Sequence, residues 1–293
     1  MPPRDTLDAM RFGVATLAIL CGCNQVFGLN PTEALPPLDA QYFDAPADAP
    51  FACPPIGTVP HFSRVLHQVQ QDCFYYTSAN GWAVAYCDEP AHQIAQGPLD
   101  GPFVPIAGME QGGSQQYTEP HLVPEGDLLV VNARNTQSLV GNIAVFRRGT
   151  ADAWTPAYTV TLDVPIDRDA TFGAPSSGPI RRMFFQNGDG VYRELSMDET
   201  FTGTPLATYS PAELGVTFAT KMPDLSPDGL RIIYAGYVGS RETIFYGDRP
   251  SLADRFTVTA LTEVPSGRYP FMTEDCARIY FSAASSVLWV QRQ

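Results

Sequence analysis

The chain has 293 residues, with 18 basic against 31 acidic side chains and a formal net charge of −13. All the basic residues except Lys221 are arginine, adjacent to each other only at Arg147-Arg148 and Arg181-Arg182, which excludes the clustered footprint of a nucleic-acid binder. The 27 prolines and 24 glycines show no period of three, so a turn-rich β protein is favoured over a helical bundle or a collagen, in one large domain or two ordinary ones.

The first element is the apolar run Phe12–Leu20 after Arg11. At about nine residues it is too short to span a bilayer and reads as the core of a signal peptide, residues 1–22. Asp5 and Asp8 offset Arg4 and Arg11, which leaves Met10 as an alternative start. The following Leu20-Cys21-Gly22-Cys23 resembles the lipobox of bacterial lipoproteins. The resemblance implies cleavage before Cys23, diacylation of its thiol, and attachment to the envelope membrane. Asn24 behind it, in place of an aspartate, implies the outer membrane. Residues 23–55 are rich in proline and acid, contain no basic residue and show little hydrophobic periodicity. Such a segment cannot bury enough apolar surface to offset its ordering entropy, and it is read as a tether. Val26, Phe27 and Leu29 are its apolar exception.

From residue 56 a unit recurs. Pro120–Val131 aligns with Pro223–Tyr234, and Pro175–Phe185 and Pro270–Phe281 are degenerate copies. The leading prolines stand roughly 47–55 residues apart, the period of a four-stranded propeller blade. In Ser226-Pro227-Asp228-Gly229 the proline presets φ for a tight turn and the glycine accepts positive φ. Three strand-like stretches follow: 231–235, 242–246 and 256–261. Only 211–214 and 252–254 suggest a helical turn. This pattern resembles the PD40 repeats, the WD40-like units of TolB-type proteins. The resemblance implies an all-β fold, a β-propeller of four-stranded blades over residues 56–293. At about 48 residues per blade, five blades are expected. The last unit runs out near Gln293 one strand short, and Phe62–His67 is expected to supply that strand, closing the ring and removing an open edge.

Once Cys21 and Cys23 are assigned to processing, Cys53, Cys73, Cys87 and Cys276 remain, an even number in an exported domain. Three pairings are possible. Asn80-Gly81 between Cys73 and Cys87 is a hairpin signal and favours that pair, leaving Cys53 with Cys276. No zinc site is expected, because His61, His67, His92 and His121 lack paired spacing. Nor is calcium: Asn187–Gly190 and Asp163, Asp167 and Asp169 lack spaced oxygen ligands and read as loops. No cofactor motif is present.

The function expected is therefore a non-enzymatic binding or scaffold module, anchored at the membrane, for an envelope protein, peptide or glycan. The alternative is a carbohydrate-active enzyme. Glu119 and Asp224 stand near the starts of inner strands, with Glu274 and Asp275 behind them, and a glycoside hydrolase needs two carboxyls flanking one bond. Two carboxylates in one open pocket would favour the enzyme; an uncharged or aromatic mouth would favour the binding module.

Overall fold

The computed structural model describes residues 53–293 except 72, 80, 88–92, 111–114, 124, 136–140, 161–170, 173–180, 187–190, 199, 218–222 and 284–285. The signal peptide, Cys23 and nearly all of the tether lie outside the described residues, as do Pro175, His92 and the aspartates considered for calcium. The stretch from Phe51 to Gln293 forms one compact unit.

That unit is a five-bladed β-propeller. Strand β1 (His67–Gln71) comes first in the chain and belongs to the last blade. Blade 1 is β2 (Cys73–Ala79), β3 (Trp82–Cys87), β4 (Gln93–Pro98) and β5 (Val104–Glu110). Blade 2 is β6 (Gln115–Leu122), β7 (Leu128–Asn135), β8 (Gly141–Arg148) and β9 (Trp154–Thr159). Blade 3 is β10 (Thr171–Phe172), β11 (Arg181–Gln186), β12 (Tyr192–Met197) and β13 (Gly203–Tyr209). Blade 4 is β14 (Asp224–Leu225), β15 (Arg231–Val238), β16 (Arg241–Asp248) and β17 (Thr257–Ala260). Blade 5 is β18 (Arg268–Met272), β19 (Arg278–Ala283), β20 (Ser286–Gln291) and, outermost, β1. All pairings within the sheets are antiparallel. Helix among the described residues is confined to the single turns Thr150–Asp152 and Ala212–Leu214.

The central strands read as unbroken apolar runs because both of their faces are covered. In β15, Ile232 and Tyr234 enter the cluster shared with Phe184 and Tyr192 of blade 3. Ile233, pointing the other way, joins Phe281 and Val290 of blade 5. The same alternation sends Leu129 and Val131 of β7 toward blade 1 and Val130 toward blade 3. Tyr280 of β19 turns to Ala83 and Ala85 of blade 1. Five apolar clusters thus occupy five seams, and the period-2 geometry of a strand closes the ring.

The ring is sealed by the N-terminal segment, but at a different register from the one expected. Phe62 makes an isolated bridge to Arg292 and is 2% exposed, whereas the paired outer strand is His67–Gln71. Ser63 donates to the Gln291 carbonyl and Gln293 to that of His61. Between the bridge and the His67–Trp289 pair, residues 63–66 face only residues 290 and 291. The surplus residues bulge outward, leaving Val65 62% and Leu66 45% exposed. Phe62–His67 therefore contributes the bridge and the first residue of the strand, because Phe62 is committed to the seam between blades 4 and 5.

Both disulfides link the favoured pairs, Cys73–Cys87 and Cys53–Cys276. Ala79 stands opposite Trp82 at the turn end, where Gly81 takes φ 74°, and after a register shift between Phe74 and Thr77 Cys73 stands opposite Cys87. Disulfides of this kind persist in oxidising compartments and fit an envelope or periplasmic protein.

Candidate functional site

The first strands of the blades pack against one another around the axis, β2 on β6, β14 on β18 and β18 on β2. The register breaks in three of them, in β2 between Phe74 and Thr77 and in two that share a further irregularity. In β6 the register breaks between Thr118 and His121, and in β18 between Arg268 and Phe271. Each of these two breaks holds a non-glycine residue in the left-handed region immediately before a proline, Glu119 at φ 54° and Tyr269 at φ 53°. Such backbone costs of the order of 1–3 kcal/mol and collects at ligand-binding positions. Pro120 and Pro270, two of the leading prolines of the repeat, thus mark inner-strand bulges.

Of the two carboxylates singled out by sequence, Glu119 is 8% and Asp224 5% exposed. They belong to blades 2 and 4, with blade 3 between them in the ring. Asp224 turns away toward blade 5, where its Oδ2 accepts a long hydrogen bond of 3.5 Å from the Met272 amide. Its Oδ1 has no hydrogen-bond partner. Desolvation by burial raises the Asp224 pKa well above the usual carboxylate range, and the Met272 hydrogen bond opposes this only weakly. His121 holds the equivalent repeat position in blade 2 and is pushed down to about 3 by burial.

These two groups have opposite linkage. Asp224 has a raised native pKa, so its contribution to stability is intact below the unfolded value near 4 and is lost as pH rises toward the native value. His121 has a lowered one, so its contribution is present above about 6.5 and is lost as pH falls toward 3. Asp224→Asn keeps the acceptor for Met272 and cannot ionise. It is expected to match wild type near pH 4 and to be the more stable of the two, by about 1–3 kcal/mol, at pH 8. Urea unfolding across this range checks it; equal curves at pH 8 would show that the carboxyl is solvated.

The turns between first and second strands of blades 2, 4 and 5 carry acidic side chains. Glu274 is raised in pKa by burial and then by the charges of Asp275 in its own turn and of Glu125 in the blade 2 turn. Asp275 serves that turn, accepting from the Thr273 hydroxyl at 2.6 Å and the Ala277 amide at 2.9 Å. In the equivalent turn of blade 4, Asp228 accepts from the Ser226 hydroxyl and the Leu230 amide and pairs with Arg231 at 3.0 Å. Gly229, at φ 68°, closes that turn by donating to the Ser226 carbonyl at 2.8 Å. Ser226-Pro227-Asp228-Gly229 is thus fully engaged in folding its own hairpin.

An ion network with no local signature in the sequence clamps this turn to blade 3. Arg249 is fully buried and donates to both Glu194 carboxylate oxygens, at 2.8 and 2.7 Å, and through Nε and Nη2 to the Gly229 carbonyl. Glu194 also accepts from Arg182 at 2.7 Å and Tyr209 at 3.2 Å. Burial raises the Glu194 pKa, and the two guanidiniums outweigh it, so the carboxylate ends below its ordinary value.

A groove of about 430 Å³ lies on the outer half of blade 4. Its floor is the face of β16 and β17 on which Tyr246 sits opposite Thr259 and Asp248 opposite Thr257, with Pro250 at one end. Its wall is the strap Cys53–Pro60, through Ile56, Gly57 and Val59. The strap is held by the Cys53–Cys276 disulfide, by Arg231 donating to the Pro54 carbonyl at 2.8 Å, and by the Gly57 amide donating to Asp248 Oδ2 at 2.7 Å. Gly57 achieves this at φ 85°, and a Cβ there would meet open space. Sequence reading missed the groove because its two sides are separated by some 190 residues.

No family model matches the chain, and no curated protein matches it in sequence. Solved structures do share its fold. A candidate glycosidase from Bacteroides thetaiotaomicron superposes with a TM-score of 0.50 at 11% identity, over 80% of this chain and 93% of that one. TolB from Acinetobacter baumannii gives 0.47 at 12% identity, over 75% of this chain and 54% of that one. A glycosyl hydrolase from Bacteroides ovatus gives 0.46 at 13%, over 77% and 85%. At these identities the likeness establishes the fold alone.

Proposed function

We propose that this propeller is a non-enzymatic binding module of the cell envelope, held to the outer membrane by a lipid on Cys23 and engaging a protein, peptide or glycan. The observation that carries the reading is the burial of Asp224 in the seam between blades 4 and 5, where desolvation raises its carboxyl pKa. Two-carboxyl hydrolysis needs both groups open to one substrate bond, and Asp224 offers no such access. Two disulfides and the lipobox resemblance support the envelope location.

The test is affinity capture with the full chain from crosslinked, detergent-solubilised envelope, run beside hydrolysis assays on the recovered polysaccharide. The expected result is a reproducible partner and no release of reducing ends. Hydrolysis abolished by Glu119→Gln or Asp224→Asn would replace this reading with the glycoside hydrolase. The anchor is tested by Cys23→Ala, which is expected to move the protein from the membrane fraction to the soluble one.

A further inference from the structure

We infer that the groove between the strap and blade 4 is a binding site for a neutral oligosaccharide segment, separate from the channel. The inference rests on the binding-module reading and names a ligand class for it.

The chemistry of the lining selects the ligand. Thr257 and Thr259 present exposed hydroxyls that both donate and accept, Ile56, Val59 and Pro250 present apolar surface, and the buried Asp248, whose Oδ2 holds the Gly57 amide, supplies a carboxylate at the base. A sugar ring has the complementary surface, with rim hydroxyls that donate and accept and a C–H face that packs on apolar groups. No cationic side chain lines the groove, so phosphorylated or uronate ligands lack a partner and meet the Asp248 charge instead. The volume of about 430 Å³ lies in the range of small-ligand pockets and holds one or two sugar rings. At the inner end the buried Tyr246 hydroxyl lies against Arg231, whose guanidinium is taken up by Asp228 and the Pro54 carbonyl. β17 is the outermost strand of its blade, and a peptide adding to its free edge would lie beside the groove, which sits over the face of β16 and β17.

The wall is built for the purpose of staying in place. The strap is pinned on both sides of Ile56, by the disulfide and the Pro54 carbonyl before it and by the Gly57 amide after it, so the site is preorganised.

The experiment titrates the detergent-solubilised full chain with neutral tetrasaccharides of gluco, galacto, manno and N-acetylglucosamine type, and with a uronate tetrasaccharide, by calorimetry and saturation-transfer NMR. Binding of at least one neutral series and not of the uronate is expected. Thr259→Tyr, on an exposed position of β17, fills the groove and is expected to weaken binding about tenfold or more. Thr204→Tyr, equally exposed on β13, serves as control and is expected to leave it unchanged. Asp248→Asn gives a second arm with a smaller loss. Failure of every neutral sugar to bind at millimolar concentration overturns the inference, as does binding that survives Thr259→Tyr or a peptide that competes for the groove. Binding lost in Glu119→Gln but kept in Thr259→Tyr would move the glycan to the channel, which overturns the groove and leaves the binding module standing. Hydrolysis of the bound sugar would instead sink the module reading itself.

Discussion

Arg249→Met is expected to destabilise the domain by about 3–5 kcal/mol, a fall of roughly 10 °C in melting temperature for a domain of this size. The guanidinium is fully buried, bidentate on Glu194 and doubly bonded to the Gly229 carbonyl. Methionine fills much of the volume but leaves a buried carboxylate with only Arg182 and Tyr209, and a turn carbonyl without its donors. The double change Glu194→Leu with Arg249→Met is expected to recover part of the loss, since an absent charge needs no compensation. Because Glu194 is held below its ordinary pKa, its contribution is present above about pH 4.5 and is lost as pH falls below that value. Thermal and urea unfolding of wild type and the two variants at pH 7 decide the matter. A single variant within about 1 kcal/mol of wild type would show that packing against Phe256, whose ring lies 4.3 Å from the guanidinium, holds the seam without the ion pair.

The second large effect concerns ring closure. Cys53 and Cys276 are 223 residues apart, and chain entropy for so long a loop gives up to about 5 kcal/mol, against about 3 kcal/mol for the 14-residue separation of Cys73 and Cys87. Removing the first disulfide is therefore expected to cost more than removing the second, and to release the strap that walls the groove. The identity of the replacement matters. Cys276 sits at φ 55°, in the turn position held by Gly126 and Gly229 in blades 2 and 4. Cys53→Ala with Cys276→Gly is expected to be about 1 kcal/mol more stable than Cys53→Ala with Cys276→Ala, because glycine accepts that backbone at less steric cost. The reverse order, or a larger loss on removing Cys73–Cys87, would show that closure relies on Phe62 and β1 pairing rather than on the covalent link.

The legible parts of the structure share one property, which is that their physics is local. The hairpin signal between Cys73 and Cys87 brings the two strands side by side, and a register shift between Phe74 and Thr77 then sets Cys73 opposite Cys87. Pro227 and Gly229 shape their hairpin within four residues, with Asp228 bonding its own neighbours. The leading prolines were visible as a period, although the place of Pro120 and Pro270 at inner-strand bulges was not. Ring closure was legible as a need for one more strand, but the register depended on where Phe62 finds its seam.

Alternation of apolar residues, turn chemistry and a period near 48 residues were sufficient, within the sequence, for an all-β propeller of five blades and for the cysteine pairs. Those signals act over a few residues or repeat along the chain, so no distant partner is needed to read them. The burial of Asp224 against Met272, the seizure of Gly229 by Arg249, and the pairing of the strap with blade 4 were decided only by the tertiary structure. Each joins residues that are between 20 and 191 positions apart, and whether a charged or polar group is solvated, neutralised or paired depends on which blade faces it once the ring has closed.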